Sequence, residues 1–167
     1  TCIDNGMPMI LVRATDVKRT AYESVEELNN DGELKTILEK LRLTASLKMG
    51  LGDVSAKNYP KMCLLNAPVA GGAVHPRCFI PHVCHEATGV LAAVTIATSC
   101  VMKDSVAGGL AVADNPASLS IEHPSGEFSV ALETDGNGKV SGAALIRTAR
   151  NIMRGEVMVP ARIWAGS

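Results

Sequence analysis

The chain has almost no aromatic side chains: one Trp, two Tyr and two Phe, 3% of its 167 residues, against 47% hydrophobic overall. A core built from it is therefore aliphatic, and the length is that of one ordinary domain. An excess of either charge is also lacking. Sixteen Lys and Arg face 17 Asp and Glu, a net charge of −1, which excludes the basic stripe of a nucleic-acid groove or an anionic-membrane surface. No uncharged run reaches the roughly eighteen residues of a membrane span. The five cysteines, at 2, 63, 78, 84 and 100, are odd in number and lack scaffold spacing, which fits a reducing cytoplasm. There is no signal-peptide pattern, internal repeat, low-complexity tract, phosphate-binding glycine loop, dinucleotide fingerprint or G-x-S-x-G elbow. The first residues, Thr1, Cys2 and Ile3, read as a strand already under way, as expected of a piece of a longer protein.

What is present is a run from His82 to Met102, uncharged from Ala87 onward, rich in Ala, Val and Thr. A helix without charge is expected to be buried on all sides. Thr88, read as its N-cap, and Gly89 would leave the N–H groups of the first turn available to an anion such as a carboxylate or phosphate. Upstream, Ser24 and Glu27 have the spacing of a capping box. Leu34, Ile37, Leu38 and Leu41 then recur at helical spacing, with Glu33, Lys35, Glu39, Lys40 and Arg42 mostly on the other faces, a surface helix that carries structure.

Strands are expected at 7–12, 61–65, 78–80, 119–122, 128–133, 140–148 and 157–163, with a helical turn at 151–153. Turns at 123–126 and 135–138 separate the downstream ones. Strands outnumber helices and are mostly hairpin-linked, which predicts an α+β fold: an antiparallel, barrel-like sheet wrapped around a central apolar helix at about 87–102.

Five soft ligands, His75, Cys78, His82, Cys84 and His85, crowd one segment. Their spacing matches neither half of a structural zinc motif, so no metal site is assigned, and Cys78 and Cys84 read as small buried hydrophobes. His82 and His85, a turn before the helix, could hydrogen-bond a carboxylate or move a proton, or simply shape the loop. Asn5 and Gly6 form a turn that could face the same cleft, and Lys48 could pair with a carboxylate, although a solvated lysine is the commoner case. Glu86 is explained as a surface carboxylate near a helix start, and Arg147, Arg150 and Arg154 as solvated or paired on the surface.

DNGMP (4–8), LGDVS (51–55), PKMCLL (60–65), the 82–98 stretch, EHPSGEF (122–128) and RTAR (147–150), in this order along the whole chain, resemble the methylaconitate isomerase family, and within it the branch acting on 4-oxalomesaconate in gallate and protocatechuate breakdown. The likeness covers the second half of such an enzyme. It implies the diaminopimelate-epimerase-like fold, in which two similar domains face each other across the active site. It also implies chemistry without a cofactor: a 1,3 proton shift, here keto–enol tautomerisation of a tricarboxylic oxo acid, or the allylic shift of another di- or tricarboxylate. Asn5, Gly6, Lys48, His82, Thr88 and Gly89 are the substrate-binding positions expected here. The catalytic lysine and cysteine are expected in the absent N-terminal domain, with His82 and His85 as the only candidates on this chain. Where the epimerases carry a second catalytic cysteine this chain has Glu86, so a two-thiol mechanism does not transfer. The implied partners are a di- or tricarboxylate and the missing domain, with room for a homo-oligomer. The competing reading is a non-enzymatic anion- or metal-binding module built on the His and Cys cluster.

Overall fold

The computed structural model describes residues 1–135 and 139–165. It is an α+β fold with two sheets. The first has the order β1 (Cys2–Asp4), β2 (Pro8–Arg13), β3 (Lys61–Asn66) and β4 (His75–Phe79), and the second is β5 (Leu119–His123), β6 (Gly126–Thr134) and β7 (Val140–Leu145). Between β2 and β3 lie a 3-10 turn (Ala14–Val17), α1 (Val25–Asn30) and α2 (Gly32–Lys48), and α3 (Val90–Val101) follows β4.

The antiparallel expectation fails for one pair of strands, and the isolated Val74–Ile121 bridge is parallel too. β2 and β3 run parallel, Met9 opposite Lys61 through Arg13 opposite Leu65. A parallel pair needs a crossover of a dozen or more residues, and α1 and α2 supply it. β3 is thereby buried on both faces. Cys63 and Leu65 pack on the α3 side, while Met62 and Leu64 pack with Leu28, Leu34 and Leu38 on the side of α1 and α2.

The second sheet is antiparallel throughout and apolar on one face: Leu119, Ile121, Phe128, Val130 and Leu132 join the α3-side core. The two sheets meet where Val74 bridges Ile121, with Ala73 N–H donating to the Ser120 carbonyl (2.6 Å) and Glu122 N–H to that of Val74 (3.1 Å). α3 contacts β1, β2, β5, β6 and β7, burying Ala92, Ala93, Ile96 and Ala97. Its burial is not complete, because Val90 and Leu91 in the first turn are each 46% exposed.

The capping box of α1 forms as read: Glu27 N–H donates to Ser24 Oγ (3.1 Å) and Ser24 N–H to Glu27 Oε2 (2.8 Å). α2 is capped by Asp31, whose carboxylate accepts from Leu34 N–H (2.9 Å) and is clamped by Arg19 at 2.5 and 3.0 Å. Arg42 departs from its expected outward placement and is 0% exposed. It continues the buried line of Leu34 and Leu38 at four-residue spacing, and its guanidinium donates to the carbonyls of Val54, Lys57 and Tyr59 and to Glu39.

The expected last strand at 157–163 is absent. Beyond β7, which stops at Leu145, residues 146–165 hold no strand or helix, and the turn expected at 151–153 is not formed. A strand needs a neighbouring edge for its backbone groups, and this segment has none within the chain. Its apolar side chains stand in solvent, Ile152 at 92% and Val157 at 88%. Of the 135–138 turn, 136–138 lie outside the described residues.

Candidate functional site

The start of α3 is unlike that of the other two helices. The N-cap is Gly89, one residue later than the sequence suggests, and no side chain caps the helix. Thr88 cannot do so because it is turned inward: it is buried, with its hydroxyl against the Cys78 thiol. The first N–H groups of a helix have no intrahelical partners, and here they open at an exposed glycine with nothing within 4 Å of where a Cβ would be.

The expected site residues separate into groups. Thr88 and Gly89 lie together at this helix start. His85 is in the same loop, its N–H donating to the Cys78 carbonyl (2.8 Å) and its Nδ1 lying 3.1 Å from the Ala87 carbonyl. Gly6, in the β1–β2 turn at φ +85°, comes close as well, since a Cβ there would sit 3.6 Å from Leu91 Cδ2. Asn5 does not. Its Nδ2 donates to Thr98 Oγ1 (3.0 Å), nine residues along α3, about 13 Å at 1.5 Å per residue. There it borders a groove of about 570 Å³ with Asp4, Lys103 and Lys139. Two further residues belong to the layer of α2. His82 Nδ1 lies 3.7 Å from Glu39 Oε2, and Lys48 closes α2 beside a groove shared with Ile10, Val12 and Leu41.

The five soft ligands do not converge. His75 opens β4 and is held between Glu122 (Nδ1 to Oε2, 2.7 Å) and Arg77 (Nη1 to Nε2, 2.7 Å). Because arginine only donates, Nε2 must accept and Nδ1–H must donate to Glu122, so this imidazole is neutral. Burial pushes the Glu122 carboxyl up, but N–H groups of Val69, Gly72 and Ala70 and the His75 ring outweigh it and hold it down at about 2. The Cys78 and Cys63 sulfurs are 3.4 Å apart across the β3–β4 ladder, and burial pushes the Cys63 thiol up. Cys84 is buried in the other core and raised to about 11 by burial. Among the described residues no three His, Cys, Asp or Glu side chains are grouped to hold a metal.

Reading the sequence missed three residues beside the helix start. The β5–β6 turn leans on the loop before α3, with Ser125 N–H (3.2 Å) and Oγ–H (2.8 Å) both donating to the Glu86 carbonyl. His123 Nδ1 lies 3.2 Å from Ser125 Oγ. Burial lowers the His123 pKa, backbone carbonyls of Glu127 and Glu86 and the Glu127 charge oppose this, and Arg147 adds to the lowering. Arg147 itself lies over the Phe128 ring, Cζ 4.0 Å from the centroid. The available signal was that EHPSGEF and RTAR both carried the family resemblance. Neither contains a spacing that by itself points to a site.

A family model described as PrpF protein matches residues 1–160. The chain belongs to the PrpF family. This PrpF chain is 49% identical over 168 residues to 4-oxalomesaconate tautomerase of Pseudomonas putida, covering 99% of the chain and 46% of that protein. It is also 49% identical over 161 residues to the (4E)-oxalomesaconate Delta-isomerase of a Novosphingobium species, covering 95% of the chain and 45% of that protein. Its fold superposes on the crystal structure of methylitaconate-delta-isomerase with a TM-score of 0.80 at 24% identity, over 94% of the chain and 46% of that structure. This PrpF chain thus spans about half the length of the curated relatives it matches. Among the described residues no helix is long and apolar enough to cross a membrane.

Proposed function

We propose that this chain is the substrate-binding half of a cytoplasmic, cofactor-independent isomerase that interconverts the keto and enol forms of a tricarboxylic oxo acid of the 4-oxalomesaconate type, in the breakdown of aromatic acids. The observation that carries the reading is the 49% identity across 99% of the chain to a protein named 4-oxalomesaconate tautomerase.

A 1,3 proton shift needs a base at one end of a three-atom unit, an acid at the other, and positive or N–H-rich surroundings for the enolate between them. The uncapped start of α3, with Thr88 and Gly89, supplies N–H groups for a carboxylate or enolate oxygen, and Gly89 allows close approach. Gly6 faces that start, while Asn5, Lys48 and His82 would reach substrate only through contacts made in the whole enzyme. In this reading the sheets close into a barrel-like wrap around α3. The other half of the protein, its N-terminal domain, lies against the open helix start and the apolar side chains at 146–165, and it contributes the catalytic lysine and cysteine.

The test is the whole-length enzyme with the enol form of 4-oxalomesaconate, followed by ultraviolet absorbance. Catalysed loss of the enol chromophore is expected, and unchanged spontaneous decay would reject the substrate assignment.

A further inference from the structure

Strand alternation puts Leu119, Ile121 and His123 on one face of β5, and the first two are buried in the core against α3. β7 pairs with β6 so that Val130 is opposite Leu145, and the ladder continues through Ile146 N–H donating to the Ser129 carbonyl (3.0 Å). Two residues beyond Leu145, on the same face, comes Arg147, above Phe128. His123, at the end of β5, and Arg147, just beyond β7, therefore lie at the same end of the α3-facing side of the second sheet, with β6 between them and near enough for the Arg147 charge to act on the His123 ring. They occupy the edge where Ser125 ties the β5–β6 turn to the loop that starts α3.

Among the described residues the one side-chain partner of the His123 ring is Ser125, with the Glu127 and Glu86 carbonyls also close to the ring, and the Arg147 guanidinium has the Phe128 face. Ser125 Oγ–H is committed to the Glu86 carbonyl at 2.8 Å, so at the His123 contact Ser125 Oγ accepts and His123 Nδ1–H donates. Nε2 is then the unprotonated nitrogen. The charged groups around this ring are Glu127 of β6 and Arg147, with Glu86 exposed on the facing loop, while α3 carries no charge. Burial and Arg147 favour the neutral imidazole. Among the described residues no carboxylate pairs with Arg147, whose guanidinium is seated on an aromatic face with its N–H fork open.

We propose that Arg147 and His123 act together on substrate: the Arg147 guanidinium holds a carboxylate of an oxo di- or tricarboxylate, and His123 Nε2 takes the proton from the adjacent enol oxygen. This rests on the isomerase reading above. In the step, the O–H electron pair becomes the second C–O bond, and the C=C pair takes up a proton at carbon from an acid group of the other half. His123 leaves as imidazolium and returns its proton to water, the acid group of the other half regains one from water, and no oxidant or reductant is needed.

The experiment uses the whole-length enzyme and compares H123Q, R147Q and R147K with wild type, with thermal melts to confirm folding. H123Q should lower kcat by about 10²-fold or more with KM little changed, and remove the acid limb of the kcat/KM profile, which in wild type falls below the ordinary histidine range. R147Q should raise KM by about 10- to 100-fold with a smaller effect on kcat, and R147K should recover part of that loss. If wild type isomerises the acid and folded H123Q and R147Q match it in kcat, KM and pH profile, this assignment is overturned while the isomerase reading stands. If wild type is inactive on every oxo acid tried, the isomerase reading itself fails.

Discussion

The 17-residue α2 and the 12-residue α3 differ most at their first turns. α2 begins at Asp31, whose carboxylate accepts a backbone N–H and is itself gripped by Arg19, and it is pinned further along by the enclosed Arg42. α3 begins at an exposed glycine with no side chain to serve its N–H groups, although a threonine stands one residue away and is turned into the core. A helix serving only as a layer has every reason to be capped, since a cap contributes about 1 kcal/mol. One that leaves its first turn open forgoes that stabilisation and keeps donors available to a ligand. α2 thus belongs to a structural face of this chain, and the start of α3 to the face proposed to meet substrate.

The largest effect is expected on the α2 side. R42M leaves the Val54, Lys57 and Tyr59 carbonyls without their donor, and should cost roughly 3–5 kcal/mol in urea unfolding. A loss below about 1 kcal/mol would mean that water replaces the guanidinium and that Arg42 is no anchor.

Next comes Glu122, which does for the 69–72 loop what Asp31 does for α2. A carboxyl depressed from 4.5 to about 2 gives stability that is present in full above the unfolded value and is lost as pH falls toward 2, about 3 kcal/mol for that shift. Denaturant melts from pH 6 down to pH 2 should fall across that window in wild type and stay flatter in E122Q. Parallel curves would place the acid sensitivity elsewhere.

D31A should cost about 1 kcal/mol, measured by the same unfolding, with substrate affinity unchanged. The smallest stability effect and the sharpest contrast belong to G89S. Gly89 has ordinary φ of −69° and open space around it, so a serine fits and supplies the missing cap, changing stability by only a few tenths of a kcal/mol. If the open N–H groups hold substrate, KM should nonetheless rise severalfold. An unchanged KM would make the uncapped start incidental.

The local part of this fold was legible in the sequence. The capping box at Ser24 and Glu27, the apolar run of β3 and the uncharged α3 are set by side-chain period and cap chemistry within a few residues. The parallel pairing of β2 and β3 was not, because it depends on how the crossover over residues 14–60 returns the chain. Arg42 was misplaced for a similar reason, since its partners lie in a loop 12 to 17 residues away. The 157–163 segment has strand chemistry but no edge to pair with inside this chain. At the candidate site, Thr88 and Gly89 could be found from helix-start signals, and the turn inward of Thr88 could not. His123 and Arg147 are 24 positions apart in sequence, and it is the ladder of β5, β6 and β7 that brings them to the same end of one sheet face.

The central claim is that this chain belongs to an enzyme moving a proton within an oxo tricarboxylate. Its most direct test is proton NMR of 4-oxalomesaconate with the whole-length enzyme in D2O, without added metal or cofactor. Rapid interconversion of the enol and keto forms is expected, with one deuterium entering at the carbon next to the carbonyl. Spectra that evolve at the same rate with and without enzyme would contradict it.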